Sequence, residues 1–182
     1  MLSNKNFMRL VLGFFVPILA SGFWVVCAQD ETLADIKYKD DYERIQRITK
    51  VSDPIRRVDQ MMAFYRERSD VDPKLLVYAD NIVARDLESM MKQGNFIALR
   101  GICERVLKVR PRLGEAYLFY GVALKQEKKI PEAMNAFAKC SLITTPVRSR
   151  CKQQLDVTYR SVSGGSLIGE DKIIKNALKE LK

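Results

Sequence analysis

The 182-residue chain contains no histidine. That absence removes every arrangement built on an imidazole: Ser-His-Asp and Cys-His triads, HExxH zinc sites and the His-containing zinc deaminase signature. Glycine and proline are scarce, at 9 and 6 residues, too few for a low-complexity or collagen-like chain. No stretch shows the strict apolar-polar alternation that marks a half-buried strand. What is present, 47% hydrophobic and 29% charged residues, fits one ordinary folded domain. A domain of this length buries roughly 70% of its unfolded surface, so disordered and fibrous classes are excluded. The 31 Lys and Arg against 22 Asp and Glu leave a formal charge of +9, which in a cytoplasmic protein would point first to nucleic acid.

The first thirty residues redirect that reading. Lys5 and Arg9 precede an apolar run from Leu10 to Val26, Val26-Cys27-Ala28 offers a cleavage site, and polar Gln29, Asp30 and Glu31 follow. This is the three-part pattern of a secretory signal over residues 1–28. The apolar run is 17 residues long, at the lower edge of what spans a bilayer, so an uncleaved membrane anchor over residues 10–26 is the alternative. Lipid attachment at Cys27 is disfavoured, because Trp24-Val25-Val26 puts bulky residues where a bacterial lipoprotein signal has small ones. Cleavage after Ala28 removes 28 residues and the charges of Lys5 and Arg9, leaving 154 residues and +7. Export, with the periplasm as the expected compartment, leaves no nucleic-acid partner. The basic surplus then reads as affinity for an anionic envelope polymer, lipid head groups or an acidic protein, or as solvated surface.

The remaining chain reads as helices. Asp53-Pro54 and Asp72-Pro73 each supply an N-cap acceptor followed by a proline at the first helical position, where its missing N–H is not needed. Ile55, Val58, Met62 and Tyr65 then form one apolar stripe to about Arg68, and Tyr42, Ile45 and Thr49 a similar stripe on a helix from about Ile36 to Lys50. A third helix is expected from Pro73 to Gln93, stopping at Gly94, and a fourth from Phe96 to Val109, broken by Pro111.

A shift of 35 residues superposes Ala98 on Ala133, Ile102 on Phe137, Leu107 on Leu142 and Pro111 on Pro146. Between Gly114 and Val147 stand Tyr117-x-x-Tyr120-Gly121-x-x-Leu124, then Ala133-x-x-x-Phe137-x-x-Cys140, then Pro146. This segment resembles the tetratricopeptide repeat (TPR) of exported bacterial proteins, in which small residues let two antiparallel helices approach and an aromatic ring fills the gap beside them. The resemblance is weaker elsewhere: Gln46 stands where the glycine belongs in the first repeat, and the first helix after Pro73 is too long. It implies an all-α, short TPR-like helical-hairpin solenoid: a lead-in over 29–38, three divergent repeats at about 39–72, 73–111 and 114–147, and capping helices over 148–181. The last of these, from Glu170 to Leu181, carries Ile173, Ile174, Ala177, Leu178 and Leu181. A non-repeat helical bundle is the alternative.

Such a scaffold implies a non-enzymatic, cofactor-free protein or peptide binder in the cell envelope. In the best repeat Leu118, Phe119 and Val122 lie opposite Tyr117, Gly121 and Leu124, so the helix is apolar nearly all round. Either neighbours cover it on both sides, or Leu118, Phe119 and Val122 floor a concave groove ringed by Glu115, Lys125, Lys152, Asp156 and Arg160. Asp156 stands where chaperone-binding family members have the Asn that holds a peptide carboxylate, which argues against that specialised role. Arg110 and Arg112, with Arg148 and Arg150 one repeat later, would form a basic edge of a solenoid, and Lys125, Lys128 and Lys129 the opposite one, giving the anionic-polymer or membrane-surface alternative. A third, a helical peptidoglycan-acting enzyme, has Glu115 as candidate acid but no surrounding motif.

Three cysteines follow residue 28: Cys103, Cys140 and Cys151. Cys140 and Cys151 are placed near a contact between consecutive repeats, where they are either bonded or simply small core residues, Cys140 then replacing the family's alanine. Ser163-Gly164-Gly165-Ser166-Leu167-Ile168-Gly169 precedes a helix but lacks the Gly-Lys-Ser/Thr ending of a phosphate loop, and reads as a connector.

Overall fold

The computed structural model describes residues 32–181, and the expected signal or anchor segment, with Cys27, lies outside the described residues. Among the described residues there are eight helices and no strand: α1 (Leu33–Thr49), α2 (Pro54–Glu67), α3 (Pro73–Lys92), α4 (Phe96–Val109), α5 (Gly114–Gln126), α6 (Ile130–Leu142), α7 (Arg148–Val162) and α8 (Glu170–Glu180). The Asp-Pro starts work through their side chains: Asp53 accepts from the Ile55 N–H at 2.9 Å and Asp72 from the Lys74 N–H at 2.8 Å. Asn95 does the same for α4, accepting from the Ala98 N–H at 3.2 Å. Helix α1 begins at Leu33 rather than near Ile36, because Thr32 and Asp35 form a reciprocal capping box. Gly94, at φ +77°, takes the left-handed conformation that ends α3.

From α1 to α7 each helix lies against the next, and α1 also meets α3, α2 meets α4, α3 meets α5, and α8 packs on α6. This ordering, in which each pair of helices leans on the next, makes the chain all-α and is consistent with a helical-repeat fold. The core falls into two clusters. One runs from Ile45 on α1 to Ala123 on α5; the other joins α5, α6, α7 and α8 through Leu118, Phe137, Leu155 and Ala177. Helix α5 contributes to both, with Ala116, Phe119 and Ala123 on one side and Leu118 and Leu124 on the other.

Helix α5 turns Gly121 toward α6. A Cβ built there would lie 2.5 Å from Cε1 of Phe137, a ring with no exposed surface. The expected pairing of a small residue with an aromatic ring is therefore met at this contact. A second correspondence is covalent: Cys140 and Cys151, both fully buried, form a disulfide between the end of α6 and the start of α7, with Cα atoms 5.7 Å apart. Cys103 is a free, buried thiol whose ionisation is pushed up by burial.

Two residues of the expected apolar stripes face solvent instead. Tyr42 is 43% and Ile55 40% exposed. Among the described residues the main neighbours of helix α1 are α2 and α3, and no described helix covers one edge of its stripe. The Ser163–Gly169 connector is organised by its own hydrogen bonds: Ser163 Oγ donates to the Ser166 carbonyl, and Tyr159 Oη donates to the Ile168 carbonyl at 2.7 Å.

Two outcomes follow from this packing. Gly121→Ala is expected to lower the chemical-denaturation midpoint by the equivalent of about 1–3 kcal/mol, the usual cost of overpacking a core, and adding Phe137→Leu should recover part of that loss. In a Cys27→Ser chain, maleimide labelling read by mass spectrometry should modify no thiol in the native state, Cys103 alone after denaturation without reductant, and Cys140 and Cys151 as well after reduction.

Candidate interaction surface

The groove expected on α5 is filled from within. Leu118 and Phe119 are 0% and 4% exposed and belong to opposite core clusters, so the covered alternative describes them and they floor no open groove. Val122 is half-buried against the second cluster. Glu115 accepts a 2.5 Å hydrogen bond from the Thr145 hydroxyl, which ties the start of α5 to the turn before α7. Lys125 is half-buried near the end of α5.

The polar residues expected on α7 are also engaged by the chain itself. The Lys152 ammonium bonds to Asp156 and, at 2.8 Å, to Glu170 at the start of α8. Burial and then the neighbouring Asp156 push the Glu170 carboxyl up, with Lys152 pulling the other way. Burial also penalises the Asp156 charge, but the bonds to Lys152 and Glu170 and the positive field of Lys152 and Arg160 together outweigh that and hold its carboxyl below the usual range. Arg160 is exposed and adds to the positive field at Asp156. Lys152 therefore already holds an internal carboxylate, because α8 brings Glu170 onto it.

The four-arginine edge divides by environment. Arg110 makes a two-pronged pair with Asp80, Nε to Oδ1 at 3.1 Å and Nη2 to Oδ2 at 2.6 Å, and its guanidinium lies 5.4 Å from the Tyr65 ring centre. Tyr65 donates its hydroxyl to the same carboxylate at 2.8 Å. Arg110 is thus a tie between α3 and the end of α4, and drops out of the edge. Arg112, Arg148 and Arg150 are exposed; Arg148 donates its Nε to the Ser141 carbonyl at 2.9 Å. On the lysine edge Lys128 is exposed, while Lys129 bonds to Glu127 at 2.7 Å.

An open face lies instead where α1 and α3 run side by side. The rings of Tyr42 and Tyr78 stand 6.4 Å apart, tilted by 31°. Gln46 Nε2 donates to the Tyr78 hydroxyl at 3.1 Å, and Val77 beside it is 60% exposed. Tyr78 also walls a cleft of about 470 Å³ with Ile82, Arg85, Asp86 and Arg57. Arg57 is committed there: it grips buried Asp86 with two nitrogens and donates to the Val51 carbonyl. Arg85 is exposed. Stacked tyrosines, an amide and an arginine make a surface suited to protein contact, since aromatic residues and Arg are the types enriched in interfaces. The sequence pattern had placed Tyr42 inside; the available signal was Gln46 one turn later, a polar residue where the repeat pattern has a core glycine.

The chain matches no protein-family model, no curated protein and no solved structure. Among the described residues no helix is long and apolar enough to cross a membrane, and no group of acidic or cysteine side chains has the arrangement to hold a metal.

Burial raises the phenol ionisation of Tyr65, with Asp80 acting in the same direction; burial likewise raises Tyr117 and Tyr120. In the unfolded chain these groups ionise near pH 10. The fold retains their protons where the unfolded chain has lost them, so this contribution is fully present below about pH 10 and is lost as pH rises above it. Urea midpoints measured from pH 8 to 11 should fall at the alkaline end, with a shallower fall in Tyr65→Phe.

Proposed function

We propose that the chain is a non-enzymatic, TPR-like interaction module exported to the cell envelope, where it binds a protein or peptide. The observation that carries the reading is the open tyrosine face of α1 and α3. An uncovered aromatic pair is apolar surface left in water, and Tyr is among the residues that most often carry binding energy. The concave groove of the repeat scaffold is here taken to use Tyr42, Tyr78, Val77 and Arg85 rather than Leu118 and Phe119. The disulfide between Cys140 and Cys151 supports export, since disulfides persist in oxidising compartments. An enzymatic role has little to work with: Glu115, the candidate acid, is bonded to Thr145.

A photo-crosslinking residue placed in living cells at Tyr42 and at Tyr78 should capture the same partner, with none captured from Phe119. Tyr78→Ala should weaken binding of the purified partner by roughly 30-fold, the order expected of a hot-spot residue, at a stability cost of about 0.5–3 kcal/mol that leaves the helical circular-dichroism spectrum unchanged. Equal capture from Phe119, or unchanged affinity in Tyr78→Ala, would sink the reading.

A further inference from the structure

The two ends of the helical array carry exposed apolar side chains beside charges of opposite sign. At the α1 end Leu33 is 86% and Ile36 48% exposed. Next to them is a cavity of about 330 Å³ whose charged lining is Asp35, Asp41, Asp70 and Asp72 against Lys37 alone. Lys37 is taken up by Asp70, donating to its carbonyl at 2.6 Å and pairing with its carboxylate. Asp41 is 1% exposed, and its Oδ1 accepts no hydrogen bond, although Arg68 Nε lies 3.2 Å away.

The α8 end is the complement. Two clefts of about 370 and 600 Å³ share Leu142 as a wall. Their other apolar walls are Ile143, Ile174, Leu178 and Leu181, and their cations are Arg112, Arg148 and Lys152. Leu178 is 46% exposed. Arg112 is exposed at the mouth of the first cleft, and Lys152 alone of the three cations is spent on internal carboxylates.

We infer that copies of this chain associate head to tail, the α8 end of one copy docking Arg112 into the Asp35–Asp41–Asp72 cavity of the next, with Leu178 and Leu181 against Leu33 and Ile36. The charge pattern selects this occupant: each end asks for apolar groups beside the opposite charge, and the other end of the same molecule supplies both. It also selects the direction, since two α1 ends would bring carboxylates together and two α8 ends would bring guanidinium groups together. A guanidinium also offers the two-pronged geometry that matches an exposed carboxylate such as Asp35. Arrays of stacked hairpins ordinarily finish in polar outer faces, and a contact between unlike ends propagates into rings or filaments rather than stopping at a dimer. The residues used are separate from the tyrosine face, so the inference stands or falls independently of the partner proposed above.

The test uses the full chain with Cys27→Ser. Leu33→Cys with Leu178→Cys in one chain should give a ladder of disulfide-linked species on a non-reducing gel, while either substitution alone gives none. Leu33→Lys and Leu178→Glu alter exposed positions, so helicity by circular dichroism should be unchanged. Each of these variants alone should be monomeric by light scattering. Their equimolar mixture should form a dimer and nothing larger, because each retains one working end, and that dimer should weaken at least tenfold between 50 and 500 mM salt as the charges are screened. A monomeric parent protein, whether or not it pellets with anionic vesicles, overturns the inference. So does a dimer formed by Leu178→Cys alone, or oligomers that survive in Leu33→Lys.

Discussion

Helix α5 is buried on two sides, and the two core clusters meet through it. A helix in that position has no polar face to give up, which is why its sequence, Ala116 to Leu124, is apolar around nearly the whole circumference. It must also lie close to α6, and the absence of a side chain at Gly121 sets that distance against the buried ring of Phe137. The α6 helix in turn carries the disulfide to α7 and the contact with α8. A change in the α5–α6 separation would therefore reach the C-terminal pair through α6, and the N-terminal pairs through Phe119 and Ala123. Close-packed interiors transmit such shifts rather than absorbing them.

Buried charge supplies a second set of ties, and each runs between helices rather than along one. Asp86 on α3 is held by Arg57 of α2, Asp41 on α1 is faced by Arg68 just after α2, Asp80 on α3 by Arg110 after α4, and Glu170 on α8 by Lys152 of α7. Removing one partner of such a pair leaves an uncompensated charge out of water, so the pairs oppose sliding of one hairpin on the next more than they add net stability. They also account for part of the positive surplus. Arg57, Arg68, Arg110 and Lys152 belong to the architecture, and the cations left for a ligand are a smaller set that includes Arg85, Arg112 and Arg150.

What was legible in the sequence follows the range of the interaction that decides it. Helix starts rest on residues two or three apart, so Asp53-Pro54 and Asp72-Pro73 placed α2 and α3 correctly. Thr32, which needed its reciprocal partner Asp35 to be noticed, moved α1 by one turn. The Gly121–Phe137 contact was legible because the repeat pattern encodes a distance between helices. Arg110 and Arg112 were not separable: the same residue type two positions apart is structural in one case and free in the other, because Asp80 lies 30 residues back on α3. The α5 groove failed for a related reason. An apolar circumference fits both a covered helix and an exposed floor, and the choice depends on whether α4, α6 and their neighbours reach around it. Tyr42 erred in the opposite direction: its stripe is regular, but among the described residues no helix covers that edge of α1.

The C-terminal pair shows how that ending could have been avoided. Helix α8 lays Ala177 into the second cluster and delivers Glu170 to Lys152, so part of the apolar and cationic surface of α6 and α7 is covered by the chain itself, with clefts left around Leu142. No corresponding helix among the described residues covers α1. Leaving aromatic and aliphatic side chains partly open on α1 and α3 costs solubility, because the exposed surface of Leu33, Ile36, Tyr42 and Tyr78 adds nothing to the core. Apolar surface that the fold does not bury is surface available to something else, and in this chain much of it lies along one side of α1 and α3, at Leu33, Ile36, Tyr42, Val77 and Tyr78. On the proposed reading the binding chemistry belongs to the N-terminal hairpins, while the C-terminal pair closes the second cluster through Ala177 and Leu155.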